Sequence, residues 1–173
     1  MDMLRLRLFS LAAMSCLSSQ VQFTFIEPIL APRLTDFDLD EAQIGLFFVI
    51  MPVFYILSCV IMSNIPERVN KHAIMIIGFW LMGFGCLFVG PSKLLHLPDN
   101  LVTMGFGQAF NGMFYPVCLI PSLPAMIEEV EKRYPSQKDT IENTVSGLFN
   151  SFIGLGMLIG PLMGSALTKE YGF

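Results

Sequence analysis

Gly147 to Leu167 reads GLFNSFIGLGMLIGPLMGSAL, twenty-one residues with no ionisable side chain. At ~1.5 Å of rise per residue, a helix of this length is about as long as the hydrocarbon layer is thick. The stretch therefore predicts a membrane span. Gly156, Gly160 and Gly164 recur every fourth residue, so three absent side chains line up as a groove into which another helix backbone can settle. Pro161 follows the middle glycine and brings no backbone donor, which predicts a bend at that point. A groove beside a hinge suits a helix that packs closely and moves. Simple packing is the plainer reading of the same spacing.

The composition agrees with this. Of 173 residues 54% are hydrophobic and 14% charged, and the charges gather into short clusters between long apolar runs. Such a chain is expected to be an integral membrane protein. A net charge of -4 that arises from loops gives no basic footprint for nucleic acid. Cys16, Cys59, Cys86 and Cys118 fall in four different apolar runs with no Cys-x-x-Cys pair, so they read as small packing residues and not as metal ligands. Arg5 and Arg7 before an apolar stretch have the outline of a secretory signal. The run continues through Ile26, longer than such a segment needs, which favours a retained helix.

Five runs can be marked, at about 8–34, 43–64, 73–90, 101–127 and 145–167. Each is near the ~20 residues a span requires, so the expected fold is all-α, with five transmembrane helices in up-down order. Arg5, Arg7, Arg68, Lys71, Lys132, Arg133 and Lys138 occupy the N-terminus and every second loop, whereas the other side holds Arg33, Lys93 and Lys169. This bias predicts a cytoplasmic N-terminus. On the far side Asp36, Asp38, Asp40 and Glu41 form an acidic loop, readable as a solvated turn or as a lure for cations. Glu128 to Glu142 mixes both signs around Pro135 and reads as a cytoplasmic connector, helical before the proline.

Catalytic motifs are missing. There is no glycine loop before a Lys, no His-Glu-x-x-His and no Gly-x-Ser-x-Gly, and His72 and His96 are expected in solvent-facing loops. Neither an enzyme nor a cofactor is predicted. The informative group is Glu27, because a carboxylate at membrane depth has to face a bundle interior or a water-filled cavity. Cys16, Gln20, Thr24 and Glu27 share an arc of about 80° on a helix of ~3.6 residues per turn, a polar stripe along an apolar rod. Nineteen residues separate Arg7 from Glu27, so a position at the membrane interface explains the carboxylate equally well. Asn111 and Asn150 are the other deep polar residues. Interhelical hydrogen bonding is their usual role, and Asn150, on the face of Gly147 and Gly154, is expected to point at a partner helix. Pro116, Pro121 and Pro124 predict a bent or interrupted fourth helix, a feature that exposes backbone groups at transporter sites.

Taken together these elements resemble the major facilitator superfamily. The string Gly156-x-x-x-Gly160-Pro161-x-x-Gly164, closing with Tyr171, Gly172 and Phe173, is similar to the motif in the fifth and eleventh helices of its proton-coupled antiporters. Within the superfamily the resemblance is to the vesicular amine transporters, most nearly the polyamine members. Phe25-Ile26-Glu27-Pro28 looks like their seventh-helix acidic-Pro element, and Gly45-Leu46-Phe47-Phe48 opens the next helix as theirs does. Gly90-Pro91 with Leu94-Leu95-His96 is similar to their loop after the ninth helix. Ile120-Pro121-Ser122-Leu123-Pro124 resembles their tenth-helix Pro-x-x-Pro, and Ser146-Gly147-Leu148-Phe149 resembles the start of the eleventh.

The resemblance implies most of one six-helix half of such a transporter, helices seven to eleven. It further implies proton-coupled antiport of an organic cation, a monoamine or polyamine, into a vesicular or other endomembrane compartment. Glu27, Gln20, Thr24, Asn111, Tyr115 and Asn150 become candidate substrate-binding or proton-coupling residues, and Gly156, Gly160, Pro161 and Gly164 the packing and hinge set. Where monoamine members carry carboxylates this chain has the Asn111 to Tyr115 segment and Asn150, a departure that leaves polyamine-like cargo open. The facilitator loop motif survives as Glu67-Arg68 and Lys71. The implied partners are the bilayer, a small organic cation, and an N-terminal transporter half or equivalent subunit. A rival expectation is that a chain lacking the first six helices and the twelfth transports nothing alone and serves as an interaction partner, or comes from an incomplete gene model.

Overall fold

A computed structural model describes residues 6–64, 69–90, 98–135 and 138–171. Seven helices account for the described secondary structure: α1 (Arg7–Thr35), α2 (Glu41–Phe48), α3 (Ile50–Ser63), α4 (Lys71–Val89), α5 (Leu101–Leu119), α6 (Ser122–Arg133) and α7 (Lys138–Tyr171). Two pairs, α2 with α3 and α5 with α6, are single spans interrupted by proline. Pro52 has no N–H for the Phe48 carbonyl, and the chain breaks at Val49. Pro121 and Pro124 likewise deprive Val117 and Ile120, and the break falls between Leu119 and Ser122. The Ser122 hydroxyl compensates by donating to the Leu119 carbonyl at 2.6 Å.

Five helices are long and apolar enough to cross a membrane, namely Arg7–Thr35, Glu41–Ser63, Lys71–Val89, Leu101–Arg133 and Thr140–Glu170. The two-sign segment expected as a connector is largely helical. The fourth span continues to Arg133 and α7 already begins at Lys138, so the described non-helical residues of the segment are Tyr134 and Pro135. Extension is favoured because i,i+3 pairing of Lys132 with Glu129 at 3.7 Å supports a helix beyond the apolar run. His72 is not in a loop. Asn70 caps α4 by accepting from the backbone N–H groups of His72 and Ala73, which draws His72 into the first turn and half-buries it.

The acidic loop also has local work to do. Asp36 pairs with Arg33 at 3.1 Å, Asp38 takes a φ of 57° at the reversal, and Asp40 forms a capping box with Gln43 at the start of α2. Arg33 also pairs with Asp99, just before α5, and lies 5.3 Å from the Phe37 ring centroid. Solvated turn chemistry thus accounts for three of the four carboxylates.

Packing is carried by small residues. α1 lies along the glycine row of α7, where a Cβ at Gly156 would come 2.6 Å from Gln20 Cβ, one at Gly160 2.7 Å from the Val21 carbonyl, and one at Gly164 2.5 Å from the Phe25 carbonyl. Helix α7 runs unbroken through Pro161. Helix α5 is held against α4 in the same manner, with a Cβ at Gly107 falling 2.5 Å from the Val89 nitrogen. Outside that seam Phe84, Phe88, Phe106, Phe110 and Phe114 form a ladder with centroids 4.6–6.0 Å apart. Helix α6 and the first turns of α7 close one end of α1 through Phe9, Ala12, Met126, Val130 and Ile141.

Candidate functional site

Polar side chains collect where α1 faces α5. Gln20 is 1% exposed and its Oε1 accepts from the Tyr115 hydroxyl, a bond that fixes the height of α1 against α5. The Tyr115 ring packs against Phe23 and Tyr55, at centroid separations of 4.4 and 5.9 Å, so α3 contributes to the same cluster. Thr24 donates to the Gln20 carbonyl at 2.9 Å and lies 3.2 Å from the Gly156 carbonyl, tying the stripe to α7. A second chain of polar atoms starts at Gln22, whose Nε2 donates to Cys86 Sγ at 3.1 Å. It continues to Asn111, whose Nδ2 donates to the Gly107 carbonyl at 3.1 Å and whose Oδ1 is 3.9 Å from that sulfur. Cys86 is therefore more than apolar filling. It bridges α1, α4 and α5.

The structure divides the α1 stripe in two. Cys16, Gln20 and Thr24 are buried against α5, α6 and α7, whereas Glu27, one turn further on, is exposed and has no hydrogen bond or ion pair among the described residues. A carboxylate so placed keeps its full capacity for a cation. Asn150 is exposed as well, and its neighbours Gly147 and Gly154 have no heavy atom within 4 Å of a built Cβ. No helix among the described residues covers that face of α7, so the partner expected for Asn150 is not α1 to α6. Three candidates, Gln20, Thr24 and Tyr115, are brought together, Asn111 belongs to the second chain with Cys86 and Gln22, and Glu27 and Asn150 stand on open faces.

Sequence reasoning passed over Gln22, Tyr55 and Gln108. Gln108, Asn111 and Tyr115 are spaced i, i+3, i+7 and so share one face of α5, a signal present in the sequence but hidden among aromatic and glycine residues. Gln108 is 1% exposed and its Oε1 has no partner among the described residues.

The family model for the Major Facilitator Superfamily matches residues 8–173, nearly the whole chain. The chain belongs to this superfamily. It is similar to the mouse MFS-type transporter SLC18B1, at 25% identity over 159 residues, and to its human counterpart, at 24% over 159. The rat protein of that name is 25% identical over 154 residues. In each case 87% of this chain is covered but 34% of the relative, so the facilitator chain spans about a third of the length of the curated relatives it matches. No solved structure matches. Membership makes the α1–α5 cluster part of a transporter fold. Glu67-Arg68 and Pro91, Lys93 and Leu94 to His96, with Arg5, Gly172 and Phe173, lie outside the described residues.

Proposed function

We propose that this facilitator chain forms the substrate-binding half of a proton-coupled antiporter, which loads an organic cation of the amine or polyamine class into a vesicular compartment. Its N-terminus is cytoplasmic and its open faces meet an N-terminal transporter half. The observation that carries this reading is Glu27, a carboxylate without a counter-charge among the described residues, set two turns beyond the buried Gln20–Tyr115 bond. A carboxylate at that depth binds an ammonium or a proton but not both, and this competition couples the two fluxes. Support comes also from the relatives, which are named MFS-type transporters. The uncovered face of Gly147, Asn150 and Gly154 supports a second half, since small and polar residues in a membrane serve helix contacts better than lipid contacts.

The test is uptake of labelled spermidine into proteoliposomes that hold this chain together with the first six helices of the mouse relative. Uptake that needs an imposed pH gradient is expected. Uptake indifferent to the gradient would remove proton coupling. If the two-part assembly took up no labelled cation at all, the chain would be better described as an interaction partner.

A further inference from the structure

We propose that Gln108 is the second arm of the cation site, its carboxamide oxygen accepting an N–H from the ammonium group for which Glu27 is the counter-charge. This rests on the cation-transport reading above. Gln108 is 1% exposed and its carboxamide makes no hydrogen bond among the described residues. Buried polar groups are nearly always partnered, and one that is not calls for an explanation. Its neighbours on the same face of α5 are satisfied, Asn111 by the Gly107 carbonyl and Tyr115 by Gln20.

The register between α1 and α5 places Gln108 and Glu27 at one height. The two helices run in opposite directions, and the Tyr115–Gln20 bond sets their alignment. Gln108 precedes Tyr115 by seven residues and Glu27 follows Gln20 by seven, so each lies about 10 Å along the helix from that bond. Seven residues make about two turns, which returns each side chain to within about 20° of the face that carries the bond. Further along, Met104 of α5 shares a cluster with Leu30 and Leu34 of α1, as this alignment requires. Two polar groups without partners among the described residues, an exposed carboxylate on α1 and a buried neutral acceptor on α5, thus stand at one height on helices that this bond joins.

Their chemistry is complementary to a primary or secondary ammonium. The carboxylate supplies charge, the amide oxygen accepts one N–H, and the cation's remaining N–H groups are left for water. A quaternary ammonium has the same charge and no N–H, so it can use Glu27 but not Gln108. The pair therefore discriminates hydrogen-bearing ammonium ions from methylated ones.

The experiment measures binding of butylammonium and of butyltrimethylammonium to the full chain in lipid nanodiscs. Wild type is expected to bind butylammonium about tenfold more tightly, the ratio of one charge-assisted hydrogen bond. In Gln108→Met, which keeps the shape and removes the acceptor, that preference should fall to near parity. Thermal stability should hold or rise, because an unpartnered polar group has been deleted. Gln108→Leu serves as the second variant. A preference kept at tenfold in either folded variant overturns the inference and leaves Gln108 a packing residue, with the transport reading intact. Failure of both variants to fold overturns it too, since a carboxamide without partners contributes nothing that folding requires. If wild type binds neither ion, the transport reading falls, and this inference falls with it.

Discussion

Gln20 and Glu27 lie two turns apart on one helix and illustrate what a membrane interior does to similar polar groups. Gln20 is buried and its oxygen is matched to the Tyr115 hydroxyl, so its role is to hold α1 against α5. Tyr115→Phe should cost about 1 to 3 kcal/mol, because it strands a buried acceptor, and thermal unfolding of the reconstituted chain measures it. Glu27 has no such structural duty among the described residues, so replacing it should spare the fold. Glu27→Gln is expected to weaken amine binding by about 1 to 3 kcal/mol as a charge-assisted hydrogen bond becomes a neutral one. Glu27→Asp should retain part of the uptake. Full uptake by Glu27→Gln in the two-part assembly would take Glu27 off the pathway.

At the scale of elements, the decisive contact is α1 in the glycine row of α7. A leucine at Gly160 would have to occupy the space of the Thr24 hydroxyl, which can rotate away, and of the Val21 carbonyl and Phe25 nitrogen, backbone atoms that cannot withdraw without moving a helix. Gly160→Leu should therefore insert into membranes but lose the α1–α7 contact. A disulfide trap between cysteines placed at Leu17 and Ile153, which lie near the same seam, reads this out as lost cross-linking. Unchanged cross-linking and thermal stability would mean that the row is not the seam. The prolines divide two spans, yet Pro161 does not divide α7. Number alone does not explain it, since α1 runs unbroken through Pro28 and Pro32 while the second span breaks beside Pro52 alone; around Pro161 the glycines of α7 rest directly on α1, which supports the helix there. Replacing both Pro121 and Pro124 by Ala should fuse α5 with α6 and slow transport while raising helix content, measurable by circular dichroism beside uptake.

For the whole molecule, an open face is as informative as a closed one. Gly147, Asn150 and Gly154 on α7 and Glu27 on α1 are left uncovered, while the glycine row a few residues away is filled. Asn150→Leu should thus leave the stability of this chain alone within about 0.5 kcal/mol and weaken its association with the first six helices, a difference that co-purification can measure. Protease protection in sealed vesicles tests orientation, with cleavage at Lys132-Arg133 expected from the cytoplasmic side without permeabilisation. The sequence by itself determined the class of fold and the number of spans, because runs of about twenty apolar residues have one stable answer in a bilayer. It also located the glycine row and the break of the fourth span, since both act through backbone atoms a few residues away, but not the break beside Pro52. Only the tertiary structure decided which polar residues meet. The Tyr115–Gln20 bond joins positions 95 residues apart, Cys86 reaches both Gln22 and Asn111, and Glu27 parts from the stripe it shares by helical geometry. Helical spacing fixes the face a residue occupies on its own helix, but which neighbour covers that face depends on how helices distant in sequence are packed.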